Sequence, residues 1–133
     1  MGQLATDRAT VTGPELPPPF GPYSPAIRAG GVVYVSSQAG IDPASGLRLG
    51  DFKTEARQAF INLGAVLTAA GSGLSHVVKT TVFLSNVDAC SFVELNRAFA
   101  EAFPVDPPAR STMIGQLPRG CHIAVDCIAL IDS

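Results

Sequence analysis

The sequence predicts an α+β domain with a single β-sheet, in the order β-β-α-β-α-β-β, with both helices on one face. Two short extended runs are separated by a glycine pair, and two long segments repeat apolar residues every three or four positions. Runs rich in β-branched residues alternate with these segments. Because crossovers between parallel strands are right-handed, both helices are expected to cover the same face of the sheet. The 133 residues suffice for one domain with one hydrophobic core.

The chain is predicted to begin with a flexible leader, residues 1–20, before a folded domain of residues 21–133. The leader shows little apolar periodicity and contains the run Pro17-Pro18-Pro19. Residues 21–25 form a turn-rich stretch that excludes helix. The pair Gly30-Gly31 then separates the extended runs 26–29 and 32–35, which predicts the first hairpin.

Both helices are predicted from their termini and from one apolar stripe each. Asp51 is expected to cap the first helix, which runs to about residue 70 and is stopped by Gly71. The second helix is expected to begin at Asn86 or Asp88 and to end at Pro104. The stripes comprise Phe52, Ala56, Phe60, Leu63, Leu67 and Ala70 in the first helix and Phe92, Leu95, Phe99 and Phe103 in the second.

The remaining strands are predicted at residues 78–84, 110–117 and 122–131, the last two joined by a turn at 118–120. Alternation along the last strand assigns its residues to two faces. The helices are expected on the side of Ile123, Val125 and Cys127, and the opposite face carries His122, Ala124 and Asp126. With only 15% charged residues, the domain is expected to use this open face for contact with other subunits.

Composition argues against several classes of protein. The net charge of −2 offers no electrostatic footprint for nucleic acid, which is therefore an improbable partner. The cysteines Cys90, Cys121 and Cys127 lack a C-x-x-C spacing, and His76 and His122 lack spaced partners, so neither a disulfide framework nor a metal site is expected. Membrane spans need about 18 apolar residues, and neither such a run nor a signal-peptide core is present. A soluble cytoplasmic protein is the expectation.

One arginine is a candidate for ligand binding. Pro107 and Pro108 end the preceding segment, so Arg110 is placed at the mouth of a strand. A guanidinium there presents a planar fork of donors that can grip a carboxylate through two hydrogen bonds. The alternative is an ordinary surface cation.

An ordered set of segments resembles the Rid family, the reactive intermediate deaminases, which are YjgF-like and also called endoribonuclease L-PSP. The resemblance covers nearly all of residues 21–130. It implies a chorismate-mutase-like fold, a homotrimeric barrel with clefts between subunits, and hydrolysis of 2-imino acids or their enamine tautomers to 2-oxo acids and ammonia. It implies no cofactor and no metal. The segments are Gly21-Pro22-Tyr23-Ser24, Val35-Ser36-Ser37-Gln38, Val78-Lys79-Thr80-Thr81-Val82-Phe83, Pro108-Ala109-Arg110-Ser111 and residues 123–129.

The resemblance also implies roles for individual residues. Arg110 matches the arginine that clamps the substrate carboxylate. Ser36 lies where the family has a hydroxyl or backbone group near the substrate, although a local hydrogen bond is an equally good interpretation. Tyr23 matches a tyrosine that closes the cleft, or it packs as a rim aromatic. Asn96 matches a recurrent asparagine that is either structural or substrate-binding, and Thr112 stands where a cysteine is common in the pocket.

One departure concerns the water that attacks the imine. Many imine-deaminating members carry a glutamate at the position of Ala124. Asp126 lies on the same strand face, about 6–7 Å away, and is the candidate for a replacement carboxylate. His122 is a second candidate, because imidazole titrates near neutral pH. A backbone carbonyl or the substrate's own carboxylate would also hold the water.

The sequence leaves three other functions open. Loss of the glutamate favours a non-catalytic trimer that binds small carboxylates. A deaminase of a specialised catabolic enamine, such as 2-aminomuconate, would use the same arginine clamp. RNA cleavage is disfavoured by the acidic charge balance.

Overall fold

The computed structural model describes residues 7–85 and 88–131, in which six strands form a single sheet. The elements are β1 Ala9–Val11, β2 Ala26–Ala29, β3 Val32–Ala39, α1 Phe52–Ala69, β4 Val77–Leu84, α2 Ala89–Ala102, β5 Ala109–Ile114 and β6 Ile123–Leu130. The spatial order of the strands is β1-β2-β3-β6-β4-β5. Only β4 and β5, which α2 connects, pair in parallel, and the other described pairs are antiparallel. The predicted element order is confirmed, with one short strand added in front.

That added strand lies in the segment expected to be a flexible leader. β1 pairs with β2 through Val11 and Ala26. Val11 and Leu16 are buried in the hydrophobic core. The described part of the segment, from residue 7 onward, therefore packs on the domain because these two apolar side chains are buried; residues 1–6 lie outside the described residues.

The first helix has the predicted cap and buries the predicted stripe, except that Phe52 is only partly buried. The Asp51 carboxylate accepts a hydrogen bond from the Thr54 amide at 3.0 Å, which satisfies one of the open N–H groups of the first turn. Gly71 follows the helix with φ +82°, a conformation that favours glycine. The stripe of α1 packs on β3, β6 and α2.

Asp88, rather than Asn86, provides the cap of α2. Its carboxylate accepts a hydrogen bond from the Ser91 amide at 2.7 Å; Asn86 lies outside the described residues. The helices meet at an aromatic cluster, in which Phe60 has its ring centroid 5.8 Å from Phe99 and 6.0 Å from Phe103 in edge-on arrangements. Both helices thus share one core with one face of the sheet.

The two faces of the sheet differ as alternation along β6 predicts. Ile123, Val125 and Cys127 are buried in the core with the helices. Alternate residues, among them Ala124 and Asp126, point to the face that the helices leave open. This face exposes large apolar side chains, including Tyr34 of β3 and Leu130 of β6. Within the described residues, neither helix is long and apolar enough to cross a membrane.

Candidate active site

Arg110 is held in position by residues of α2. It pairs in register with Thr80 of β4, whose fully buried side chain belongs to the helix-covered face, so Arg110 points to that side of the sheet edge. Its Nη1 donates a hydrogen bond to Asn96 Oδ1 at 2.9 Å. Its Cζ lies 4.9 Å from the ring centroid of Phe99. These contacts orient the guanidinium while using one of its five N–H donors, an arrangement suited to binding a carboxylate.

Three predicted binding residues therefore lie on one side of the sheet edge. Asn96 contacts Arg110 directly. Thr112 follows Arg110 by two residues along β5 and pairs with the buried Val82, so it shares the face of Arg110. We call Arg110, Asn96 and Thr112 the arginine group.

A separate cavity of about 270 Å³ opens on the other face of the sheet. Its floor contains Ala39, Ala124 and Phe83, which lie side by side across β3, β6 and β4. We call this cavity the apolar pocket. Its lining residues are Phe20, Tyr23, Ser37, Ala39, Phe83, Leu117, Pro118, Cys121 and Ala124.

Contacts at Phe20 connect the walls of the apolar pocket. The Phe20 amide donates a hydrogen bond to Tyr23 Oη at 3.0 Å. The guanidinium carbon of Arg119 lies 4.6 Å from the centroid of the Phe20 ring. Arg119 adopts φ +61°, unusual for a residue with a side chain, in the turn between β5 and β6. Phe20, counted with the leader in the sequence analysis, is therefore part of the cavity wall.

The two serines of β3 have different environments. Between Val35 and Gln38 the register of β3 with β6 shifts, and Ser36 and Ser37 occupy this irregularity. The Ser36 hydroxyl donates a hydrogen bond to the Ser24 carbonyl at 2.7 Å, which is the local bond considered from the sequence. Ser37 lines the apolar pocket. Ser37, which was not among the predicted site residues, thus brings a hydroxyl to the apolar pocket, whereas the Ser36 hydroxyl is bonded elsewhere.

Asp126 lies on the open face, as predicted, two residues from Ala124 on β6. It pairs across the sheet with Thr81. Burial raises the pKa of Asp126, while hydrogen bonds from Thr81 and Ser37 and the charge of Lys79 act in the opposite direction. The carboxyl group therefore neighbours the Ser37 hydroxyl at the apolar pocket, and its raised pKa makes it a stronger proton acceptor than an exposed aspartate.

The expected position of His122 on the open face is wrong. β6 begins at Ile123, so His122 precedes the strand. Its Nδ1 lies 2.9 Å from Glu55 Oε1 of α1, and its backbone amide donates to Glu55 Oε2 at 2.6 Å. Glu55 is completely buried. His122 turns toward Glu55 because a buried carboxylate needs hydrogen-bond partners.

The two cysteines with described side chains have the properties of buried thiols. Burial, followed by the charge of Asp126, raises the pKa of Cys127 to about 12. Burial, followed by the charge of Glu55, also raises the pKa of Cys121. Both remain protonated at neutral pH, which argues against nucleophilic catalysis by either. Among residues 7–85 and 88–131, no cluster of three or more histidine, cysteine, aspartate or glutamate side chains is arranged to hold a metal ion.

One chain does not bring the arginine group and the apolar pocket together. The arginine group belongs to β5 and α2 and lies on the helix-covered side at the edge of the sheet. In the described parts of the chain, no residue that lines the apolar pocket comes from either element. Arg110, Asn96 and Thr112 are therefore one half of the predicted site, and Tyr23 and the surroundings of Ala124 are the other.

Comparisons with known proteins agree with this fold. A family model described as endoribonuclease L-PSP matches residues 14–131. The 2-iminobutanoate/2-iminopropanoate deaminase of Mus musculus is 38% identical over 125 residues, which are 92% of this chain and 91% of that protein. The human protein of the same name is 36% identical over 92% of this chain and 90% of its own length.

Solved structures extend the likeness to three dimensions. The crystal structure of RidA from an Antarctic Psychrobacter bacterium superimposes with a TM-score of 0.87 at 35% identity, covering 92% of this chain and 99% of that one. The structure of Escherichia coli TdcF with bound serine has a TM-score of 0.84 at 26% identity, covering 93% and 99%. With its fold and nearly its full length matched, this chain belongs to the family described as endoribonuclease L-PSP, the Rid family.

Proposed function

We propose that this protein hydrolyses 2-imino acids, or their enamine tautomers, to 2-oxo acids and ammonia. The observation that carries the proposal is the half-buried Arg110, which Asn96 and Phe99 orient before any ligand arrives. An imino acid carries a carboxylate beside its C=N carbon. A guanidinium that is already oriented binds this carboxylate without the entropy cost of ordering the arginine side chain. Relatives named 2-iminobutanoate/2-iminopropanoate deaminase support this substrate class.

The site is proposed to form between subunits of a homotrimer. Arg110 and the apolar pocket lie on opposite sides of one chain's sheet, so a small substrate touches both only if two chains contribute. The exposed Tyr34 and Leu130 on the open face offer apolar surface for such an assembly. In this arrangement the arginine group of one subunit holds the carboxylate, and the apolar pocket of its neighbour surrounds the rest of the substrate.

The chemistry requires a water molecule and proton transfers. The water oxygen bonds to the carbon of the protonated imine, while the π electron pair of C=N moves to nitrogen. The water gives a proton to its acceptor, which leaves a carbinolamine. That proton is then returned to the carbinolamine nitrogen, the C–N electron pair departs with nitrogen as ammonia, and an oxygen lone pair forms the C=O bond of the 2-oxo acid as the hydroxyl proton is released. Asp126 is the proposed proton acceptor, because Ala124 cannot take a proton and Asp126 contacts Ser37 at the apolar pocket. Ser36 contributes by holding the Ser24 backbone beside Tyr23.

The test compares wild type with Arg110→Ala. An amino-acid oxidase generates 2-iminopropanoate or 2-iminobutanoate, and semicarbazide traps the imine that survives. Removing one partner of a desolvated ion pair costs about 2–5 kcal/mol, so kcat/KM should fall roughly 30- to 4,000-fold. Arg110→Lys keeps the charge but not the fork and should fall in between. Arg28→Ala, at an exposed arginine on β2, is the matched control.

Three outcomes would change the assignment. Equal rates for wild type and Arg110→Ala would remove Arg110 from the mechanism. No acceleration by wild type, together with stabilisation by 2-oxobutanoate in thermal unfolding, would favour the non-catalytic carboxylate-binding trimer. Ala124 is the observation that favours this second candidate. Turnover of 2-aminomuconate alone would instead indicate a specialised deaminase. RNA cleavage is not proposed, because a net charge of −2 does not favour binding to phosphates.

A further inference from the structure

The apolar pocket has an uncharged, largely apolar lining. Its lining consists of aromatic, aliphatic and thiol side chains with two hydroxyls, those of Ser37 and Tyr23, and the Tyr23 oxygen already accepts a hydrogen bond from the Phe20 amide. Among the described residues, none that line it is charged. A polar substrate group placed there would lose its water without gaining an ionic partner. Carbon surface is what this lining favours.

The floor of the apolar pocket sets its size. Three paired residues of neighbouring strands form the floor. Two of them, Ala39 and Ala124, have only a methyl side chain, and Phe83 lies beside Ala124. The cavity of about 270 Å³ is larger than the roughly 150 Å³ that accepts benzene in an engineered apolar cavity. A methyl group would leave most of this space unfilled, whereas an isobutyl or benzyl group would fill more of it.

We infer that the apolar pocket receives the substrate side chain, and that this protein prefers 2-imino acids with branched aliphatic or aromatic side chains to those with a methyl group. The inference rests on the proposed function. The reacting carbon carries a carboxylate, a nitrogen and one further substituent. With the carboxylate on Arg110 and the nitrogen exposed to water, the substituent is the part that matches an uncharged cavity.

The size of the preference follows from apolar burial. One methylene in a closed apolar pocket changes discrimination by roughly 10-fold or more. The apolar pocket is open on one side, and the lining side chain of Tyr23 is 46% exposed. An isobutyl side chain has three more carbons than a methyl group. Because the apolar pocket is open, we expect kcat/KM to rise only about 10-fold in total, and not 10-fold for each added carbon.

The experiment compares two substrates on three proteins. 2-Imino-4-methylpentanoate and 2-iminopropanoate are generated from leucine and alanine, and kcat/KM is measured for each by semicarbazide trapping. Ala39→Leu fills the floor of the apolar pocket, so it should lower the ratio of leucine-derived to alanine-derived rates at least fivefold. Ala69→Leu adds the same atoms at an exposed position of α1 and should leave the ratio unchanged.

A binding arm separates this inference from the proposed function. Calorimetry measures the dissociation constants of the wild-type protein for the stable products, 4-methyl-2-oxopentanoate and 2-oxopropanoate. Because this measurement needs only the wild-type protein, it tests the inference even if Ala39→Leu does not fold. About 10-fold tighter binding of the branched acid supports the inference. Turnover of 2-iminopropanoate at an equal or higher kcat/KM overturns the inference and leaves the proposed function standing. If neither imine is accelerated, the proposed function fails, and equal binding of the two products then overturns the inference as well.

Discussion

Replacement of Glu55 tests how the wall of the apolar pocket is anchored. Glu55 is completely buried, and its carboxylate accepts the His122 amide at 2.6 Å and faces His122 Nδ1 at 2.9 Å. Arg48 lies 3.6 Å away with 40% of its side chain exposed. Because His122 adjoins Cys121, these bonds fix the end of the turn that forms one wall of the cavity.

The magnitude follows from these contacts. A hydrogen bond to a charged group contributes about 1.5–3 kcal/mol, and the partly exposed Arg48 pair adds less than about 1 kcal/mol. Glu55→Ala leaves the His122 amide without its acceptor and is expected to lower the free energy of unfolding by about 3–5 kcal/mol. For a domain of this size, Tm should fall by roughly 10–20 °C. Glu55→Gln keeps the shape and one acceptor oxygen, so it should cost about half as much.

Urea and thermal unfolding, followed by circular dichroism at matched protein concentration, measure the effect. Glu101→Ala is the control, because its pair with Arg57 is at 3.1 Å but both side chains are more than half exposed. This control should change stability by less than about 1 kcal/mol. If Glu55→Ala proves as stable as Glu101→Ala, the anchoring argument is wrong.

Two further predictions concern packing and pH. A Cβ at Gly40 would lie 2.6 Å from the Glu55 Cγ and closer still to the Glu55 backbone oxygen; Gly40→Ala should therefore destabilise the fold by about 3 kcal/mol or more, measured by urea unfolding. Burial raises the pKa of Asp126, so its contribution to stability is most favourable below the ordinary value of 3.8 and is lost as the pH rises through the higher folded pKa. Asp126→Asn should consequently have a higher Tm than wild type at about pH 7, with the difference vanishing below about pH 4.

The Gly40→Ala prediction has a control variant, and both predictions have an outcome that would contradict them. A Cβ at Gly115 meets nothing within 4 Å, so Gly115→Ala should stay within about 0.5 kcal/mol of wild type. A soluble Gly40→Ala protein of wild-type stability would show that β3 and α1 separate easily. A Tm difference for Asp126→Asn that stays constant across the pH range would mean that the charge of Asp126 does not limit stability.

The fold was predictable because its signals are periodic, whereas the missed features depend on contacts between distant segments. The stripes of α1 and α2 and the alternation of β6 are repeated patterns, and each repeat supports the others. β1 has three residues, followed by a proline-rich stretch, and its burial depends on single side chains such as Val11. Propensity alone cannot reveal so short an edge strand.

The candidate site was predictable only in part for the same reason. Arg110 follows a proline pair that the sequence shows directly, and the family resemblance identified Asn96, which contacts it. Ser37 rather than Ser36 lines the apolar pocket because of a local shift of register, which alternation cannot anticipate. The cavity wall unites Phe20 and Cys121, which are a hundred residues apart in the chain.

The position of β6 has a consequence for how the protein forms in the cell. β6 comes after the other described strands in the sequence, yet it lies in the middle of the sheet, between β3 and β4. β6 is the strand that joins two groups of strands, β1–β3 on one side and β4–β5 on the other. Until β6 has been synthesised, no strand pairs with both groups. Pairings that join the beginning of a chain to its end form slowly, and unpaired strand edges promote aggregation. Folding of the sheet thus requires the synthesis of β6, and a nascent chain that still lacks β6 exposes two open edges, those of β3 and β4.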